Sequence, residues 1–231
     1  MKLESRRHFH EELEGLESEM QAMGLATTDL LGKAMGALAT EDDATIEAVI
    51  AGDDVVDQHY LNIERQILAL FARQTPVASD LRLLTVLLHM NLHLERIADM
   101  AVNMAKITRL TQRLPRSPTV LQHLEQMGSI ALGMVRAALD AFARRDLALC
   151  YRLPAMDDPI DALNRGMLAE VLAIADDRRM LEWGIGMHVV SRQIERIGDH
   201  AVDIGEQVAF LVTGEFHEFA DASHPELDNP S

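Results

Sequence analysis

The sequence predicts an all-α protein made of two tandem three-helix bundles, six long helices in all, related by internal duplication. Three observations lead there. First, Glu95-Arg96-Ile97-Ala98-Asp99-Met100-Ala101-Val102 returns 100 residues later as Glu195-Arg196-Ile197-Gly198-Asp199-His200-Ala201-Val202, with six of the eight positions identical. Self-similarity at a fixed spacing marks a repeated architecture. Second, no segment alternates apolar and polar residues as a strand does, while long stretches follow a helical period. Third, 48% of the 231 residues are apolar but only 4% are aromatic. Ala, Leu, Ile and Met must then supply the core, which suits helices packed on helices.

The elements follow in order. The spacing predicts a first helix over residues 4–39. Thr40-Glu41-Asp42-Asp43 is a polar turn able to cap the second helix, expected over residues 44–74 with a bend at Gly52. Pro76 ends that helix, and Ser79-Asp80 supplies the N-cap of a third, which runs to residue 112. Pro115-Arg116-Ser117-Pro118 places two prolines in four residues and reads as the linker. The pattern then repeats. A fourth helix is expected over residues 119–144, and a fifth over 146–176 that Pro154 and Pro159 interrupt or kink. A sixth covers residues 180–213, with Gly214 as its C-cap. The two units are expected at residues 1–114 and 115–216, leaving 217–231, with Pro225 and Pro230, as a disordered tail.

Charge and composition narrow the function. The formal net charge is −16 and there is no basic run. Binding a phosphate backbone needs clustered Lys and Arg, so nucleic acid is not the expected partner. The sole cysteine, Cys150, cannot form an internal disulfide, which fits a reducing compartment, and it reads as a small buried apolar residue. No apolar run approaches the ~20 residues of a bilayer span, and the N-terminus lacks a signal-peptide pattern. The expected location is cytoplasmic. The thirteen methionines fall mostly at apolar positions and read as core filler.

The chemistry lies in the repeated acidic residues. Residues four apart share a helix face, so Glu95 and Asp99 are neighbours, with Asn103 continuing the row. In the second copy the row is Glu195, Asp199 and Asp203. Like charges at this spacing repel by roughly 0.2–0.5 kcal/mol, a penalty that a cation between them would reverse. Asp53-Asp54-Val55-Val56-Asp57 and Asp157-Asp158-Pro159-Ile160-Asp161 match in the same way, and Asp54 with Asp57, and Asp158 with Asp161, are the expected further ligands. Hard divalent ions such as Mg²⁺, Ca²⁺ or Mn²⁺ take carboxylate oxygens. An ordinary solvated face, neutralised by Arg96 and Arg196, would present the same residues. His200 reads either as a surface histidine or as an extra ligand beside Asp199. His89 and His93 are spaced as zinc ligands can be, but lack the glutamate of His-Glu-x-x-His. Glu-x-x-His, the di-iron signature of helical bundles, is absent, as are phosphate loops and nucleophile elbows.

At these residues the chain resembles the PhoU family of phosphate-signalling regulators. Four stretches carry the likeness: Phe9 to Leu13, Pro76-Val77-Ala78-Ser79-Asp80-Leu81-Arg82, Glu95 to Ala105, and Glu195 to Ile204 running on to Leu211-Val212-Thr213-Gly214-Glu215. The second copy departs from the first in opening its last helix Met180-Leu181-Glu182, without Asp-Leu-Arg. The resemblance implies two three-helix bundles and no catalytic activity. It implies metal ions or clusters (Mg, Mn, Fe or Zn) on the Glu-x-x-x-Asp motifs, here Glu95 with Asp99 and Glu195 with Asp199. It also implies a negative regulator of the phosphate-starvation response, an adaptor between the ATPase subunit of the phosphate ABC transporter and a sensor histidine kinase. A homodimer is expected, with membrane association only through partners. The alternative from the residues alone is a metal-dependent enzyme or metal store with no role in phosphate signalling.

Overall fold

The structure, a computed structural model, describes residues 2–73 and 76–219. Among these residues there are six long helices and one single turn, and no strand. They are α1 (Lys2–Thr40), α2 (Asp43–Arg73), α3 (Ser79–Thr111), α4 (Pro118–Arg144), α5 (Leu147–Cys150), α6 (Leu153–Ala173) and α7 (Arg178–Thr213). Helices α1, α2 and α3 pack on one another as one unit, and α4, α6 and α7 as the second.

Local chemistry sets most of the boundaries. Asp42 accepts from the Thr45 amide at 2.8 Å and opens α2. Ser117 caps α4, and Pro118 occupies the first helical position, where its missing N–H costs nothing. Asp177 accepts from the amides of Arg179 and Met180 at the start of α7. Gly214 closes α7 in the left-handed conformation, with φ of 80°, as its position in the sequence predicts.

Two expectations are corrected. The N-cap of α3 is Ala78, with φ of 49° and no side-chain hydrogen bond, because Ser79 and Asp80 already lie inside the helix. The expected fifth helix is divided: Asp146 caps the single turn α5, the chain turns at Tyr151 and Arg152, and α6 begins at Leu153. Pro154 falls in the first turn of α6, where proline is tolerated, and Pro159 lies inside α6 without ending it.

The units meet along two antiparallel seams. In one, α3 lies against α7: Gly186 faces Thr111 and Ile107, His93 meets His200, and Arg82 lies against Gly214. In the other, α1 lies against α4: Gly24 meets Leu139, and Arg145 pairs with Glu17 at 2.5 Å. A continuous apolar core runs through both units, from Leu16 and Ile63 to Trp183 and Ile194. Nine methionines, among them Met20, Met90, Met127 and Met187, are buried in it as filler. Cys150 is fully buried, its thiol pushed up to about 11 by burial and then by Asp146, and is inert for the reason expected.

Residues 217–219, assigned from the sequence to a tail, return to the bundle. The Phe219 amide donates to Glu206 Oε1 at 2.6 Å, and its buried ring stacks tilted on Tyr151 at 5.1 Å. The rest of the expected tail, residues 220–231, lies outside the described residues.

Candidate metal centres

Each unit holds one acidic cluster between its last two long helices. In the first, Glu95 and Asp99 on α3 face Asp53 and Asp57 on α2. Burial raises the Asp53 carboxyl above its usual range, and the charges of Asp57, Asp99 and Asp54 add to the rise while Lys106 opposes it. Glu95 is raised by burial, then by Asp99, with Asp57 and Asp53 adding and Arg96 opposing. Arg96 reaches Glu95 at 3.5 Å and Asp99 at 3.6 Å, long for hydrogen bonds, so the neutralisation is partial.

The second cluster is more deeply set. Burial raises Glu195, with Asp161 adding and Arg192 and Arg196 opposing. Asp199 is pushed up to about 6, by burial first and then by Glu195, Asp161 and Asp203. Arg192 donates to Glu195 Oε1 at 2.8 Å, but Glu195 Oε2 is buried without a hydrogen bond. Asp161 is buried and pairs with Arg165 at 3.3 Å. Asp157 is buried against Gly198, where α6 and α7 approach so closely that a methyl group would overlap its carboxylate.

The predicted residues are thus placed as follows. Glu95 and Asp99 stand with Asp57 in the first cluster, and Glu195 and Asp199 with Asp161 and Asp203 in the second. Asp54, Asp57 and Asp158 are exposed, while one residue earlier Asp53 is half-buried and Asp157 is buried against Gly198. Spacing alone does not choose between them, because i,i+3 and i,i+4 pairs both lie on one helix face. Asn103 is exposed and adds no charge to the first row.

The donor sets suit cations that prefer oxygen. Half-buried like-charged carboxylates held above their usual range, with an unpartnered oxygen on Glu195, describe a site whose electrostatics improve when a cation enters. In the first unit Asp53, Asp57, Glu95 and Asp99 would hold such an ion, and in the second Asp157, Asp161, Glu195 and Asp199.

A third group lies on the seam between the units. His93 of α3 and His200 of α7 place their Nδ1 atoms 3.1 Å apart, and Asp203 Oδ2 lies 3.4 Å from the first and 3.3 Å from the second. Burial holds His93 down at about 4, outweighing the opposing charge of Asp203. His89, the other half of the pair that the sequence offered, is exposed.

Comparison with known proteins agrees with this geometry. The PhoU domain model matches residues 20–108 and 124–208, once in each three-helix unit. The phosphate-specific transport system accessory protein PhoU homolog of Caulobacter vibrioides is 30% identical over 210 residues, 90% of this chain and 91% of that protein. The homolog of Clostridium acetobutylicum is 32% identical over 213 residues, 91% of this chain and 96% of its own length. The crystal structure of PhoU from Pseudomonas aeruginosa superposes with a TM-score of 0.85 at 33% identity, covering 90% of this chain and all of that one. With the fold, both repeats and their acidic helices accounted for together, the chain belongs to the PhoU family.

Proposed function

We propose that the protein is a cytoplasmic accessory protein of phosphate-specific transport that acts as a negative regulator of the phosphate-starvation response. In this reading it is an adaptor. It binds the ATPase subunit of the phosphate ABC transporter and a membrane sensor histidine kinase, and favours the kinase's non-signalling state while phosphate is plentiful. Such an effect requires tighter binding to one kinase state than to the other. The observation that carries the reading is the extent of the likeness: proteins named as PhoU accessory proteins align over nine-tenths of the chain and across both units. The family is one of accessory proteins and not of enzymes.

Mg²⁺, Mn²⁺, Fe or Zn²⁺ held in the acidic clusters would relieve carboxylate repulsion between α2 and α3 and between α6 and α7. Each ion would stiffen its bundle or present a charged face to a partner. No helix among the described residues is long and apolar enough to cross a membrane. In this reading membrane association runs through the partners. The working assembly is a homodimer, which sedimentation at several concentrations tests.

The deciding experiment measures alkaline phosphatase output in a strain lacking the gene, grown with abundant phosphate. High output, returned to normal by the intact gene, is the expected result. Normal output in a strain that carries no second copy overturns the regulatory reading.

A further inference from the structure

We propose that His93, His200 and Asp203 form a zinc site that joins the two three-helix units across the α3–α7 seam. This goes beyond the acidic clusters, which offer only oxygen; Asp203 stands at the edge of the second cluster and is the one residue the two groups share. The seam group offers two imidazole nitrogens and one carboxylate, a donor set that suits borderline divalent ions. Among the described residues it is the one group of three or more such side chains whose ligand atoms all lie within 4.8 Å of one another.

The distances fit one ion. The three ligand atoms are 3.1, 3.3 and 3.4 Å apart. Ligands about 2.0 Å from a tetrahedral zinc are separated by about 3.3 Å. The three atoms thus have the spacing of three corners of a zinc tetrahedron.

Protons alone leave this triangle in conflict. If one Nδ1–H donates to the other Nδ1, the accepting nitrogen faces the carboxylate as lone pair to lone pair. If both rings carry Nδ1–H and donate to Asp203, the two N–H groups confront each other at 3.1 Å. With Asp203 as a carboxylate, one side of the triangle is like against like. A cation at the centre makes all three contacts favourable at once.

The surroundings fit the same ion. His200 and Asp203 line a cavity of about 280 Å³ beside the seam, with room for water in the fourth position. Asp199, Glu206 and Glu218 line the same cavity against the single cation Arg196, which draws in metal ions and disfavours anions. The site is also built only once. At the corresponding positions of the duplicated motif the chain has Gln193, Met100 and Asn103, which provide no imidazole and no carboxylate.

The test titrates the full chain with ZnCl₂ against a chromophoric chelator, and separately with Co²⁺ while recording the visible spectrum. The expected result is one tight zinc and an intense four-coordinate cobalt band. Both are lost in His93→Gln and His200→Ala, shown by circular dichroism to be folded, and both persist in the Glu95→Ala/Asp99→Ala variant. The affinity loss exceeds the roughly 10–100-fold that removing an outer-shell partner costs. Zinc also slows amide exchange in both α3 and α7. Binding unchanged in the histidine variants, no zinc bound by the wild type, or exchange slowed in α7 alone overturns the proposal. The acidic-cluster reading fails separately, if the wild type binds no Mn²⁺.

Discussion

Asp157 of α6 rests directly against the backbone of Gly198 in α7, at a point where the first copy of the motif carries Ala98. The close approach brings a buried carboxylate to the middle of the Glu195-to-Asp199 turn. Gly198→Ala forces Asp157 away. Helix propensity offsets part of the cost, alanine being favoured over glycine by up to about 1 kcal/mol in a helix interior. The expected outcome is a folded protein that binds Mn²⁺ roughly tenfold more weakly by isothermal titration, the scale at which metal sites respond to loss of a supporting group. Undiminished affinity would remove Asp157 from the ligand set.

The register of the second acidic element makes a sharper contrast. Asp53→Asn and Asp157→Asn are expected to weaken Mn²⁺ binding, while Asp54→Asn and Asp158→Asn, at exposed positions, leave it within about 0.5 kcal/mol of the wild type, the range usual for surface changes. The Glu195→Ala/Asp199→Ala variant is expected to lose the tighter site, because its cluster is the more buried. The reverse pattern in a paired titration of the four asparagine variants would move the site to the outer faces.

In metal-free protein Asp199 and His93 respond to acid in opposite directions. Burial and its acidic neighbours raise Asp199 from 3.8 to about 6, so the native state holds this proton more tightly than the unfolded chain. Its contribution therefore becomes more favourable as pH falls from above 6 towards 4. Burial lowers His93 from 6.5 to about 4, so the unfolded chain takes up that proton first, and stability is lost over nearly the same interval. Asp199→Asn is expected to be more stable than wild type at pH 7 and to lose the advantage by pH 4. His93→Gln is expected to gain on the wild type below pH 6. Each effect is about 1–2 kcal/mol, at about 1.4 kcal/mol per pKa unit less the screening by solvent that reaches the seam. Urea unfolding at pH 7.0, 5.5 and 4.0 in the presence of a chelator measures both.

Gly214 is held in the left-handed region with Arg82 of the other unit packed against it. Gly214→Ala meets both a backbone penalty and the guanidinium. A destabilisation of about 1–2 kcal/mol is expected, or roughly 2–8 °C in unfolding temperature at this chain length. Differential scanning calorimetry reads it directly. Arg82→Ala in the same background should recover part of the loss, since it removes the clash but not the strain.

The parts legible in the sequence are those that depend on local chemistry. The helices, the linker at residues 115–118, the cap at Gly214 and the pairing of Glu95 with Asp99 all follow from spacing and residue type. The parts that were not legible depend on the rotation of one helix against another. Asp53 and Asp54 differ by one position, or about 100° around the helix, and only the packing of α2 on α3 decides which of them faces the cluster. Pro159 stays within α6 although propensity argues for a break there, because Leu153, Ile160 and Met167 bury the same helix in the core. His93 and His200 are 107 residues apart, and only the antiparallel docking of α3 and α7 brings them together.

That docking sets the two copies antiparallel about an approximate two-fold axis, the arrangement two separate chains of one kind would adopt as a dimer. In such a dimer every substitution appears twice, once on each side of the axis. Joining the copies in one chain removes this constraint. Met100 and His200 descend from one position, and His93 and Gln193 from another, yet each pair has been free to diverge. The covalent link at residues 115–118 thereby lets one side of a symmetric interface take up chemistry that the other side does without.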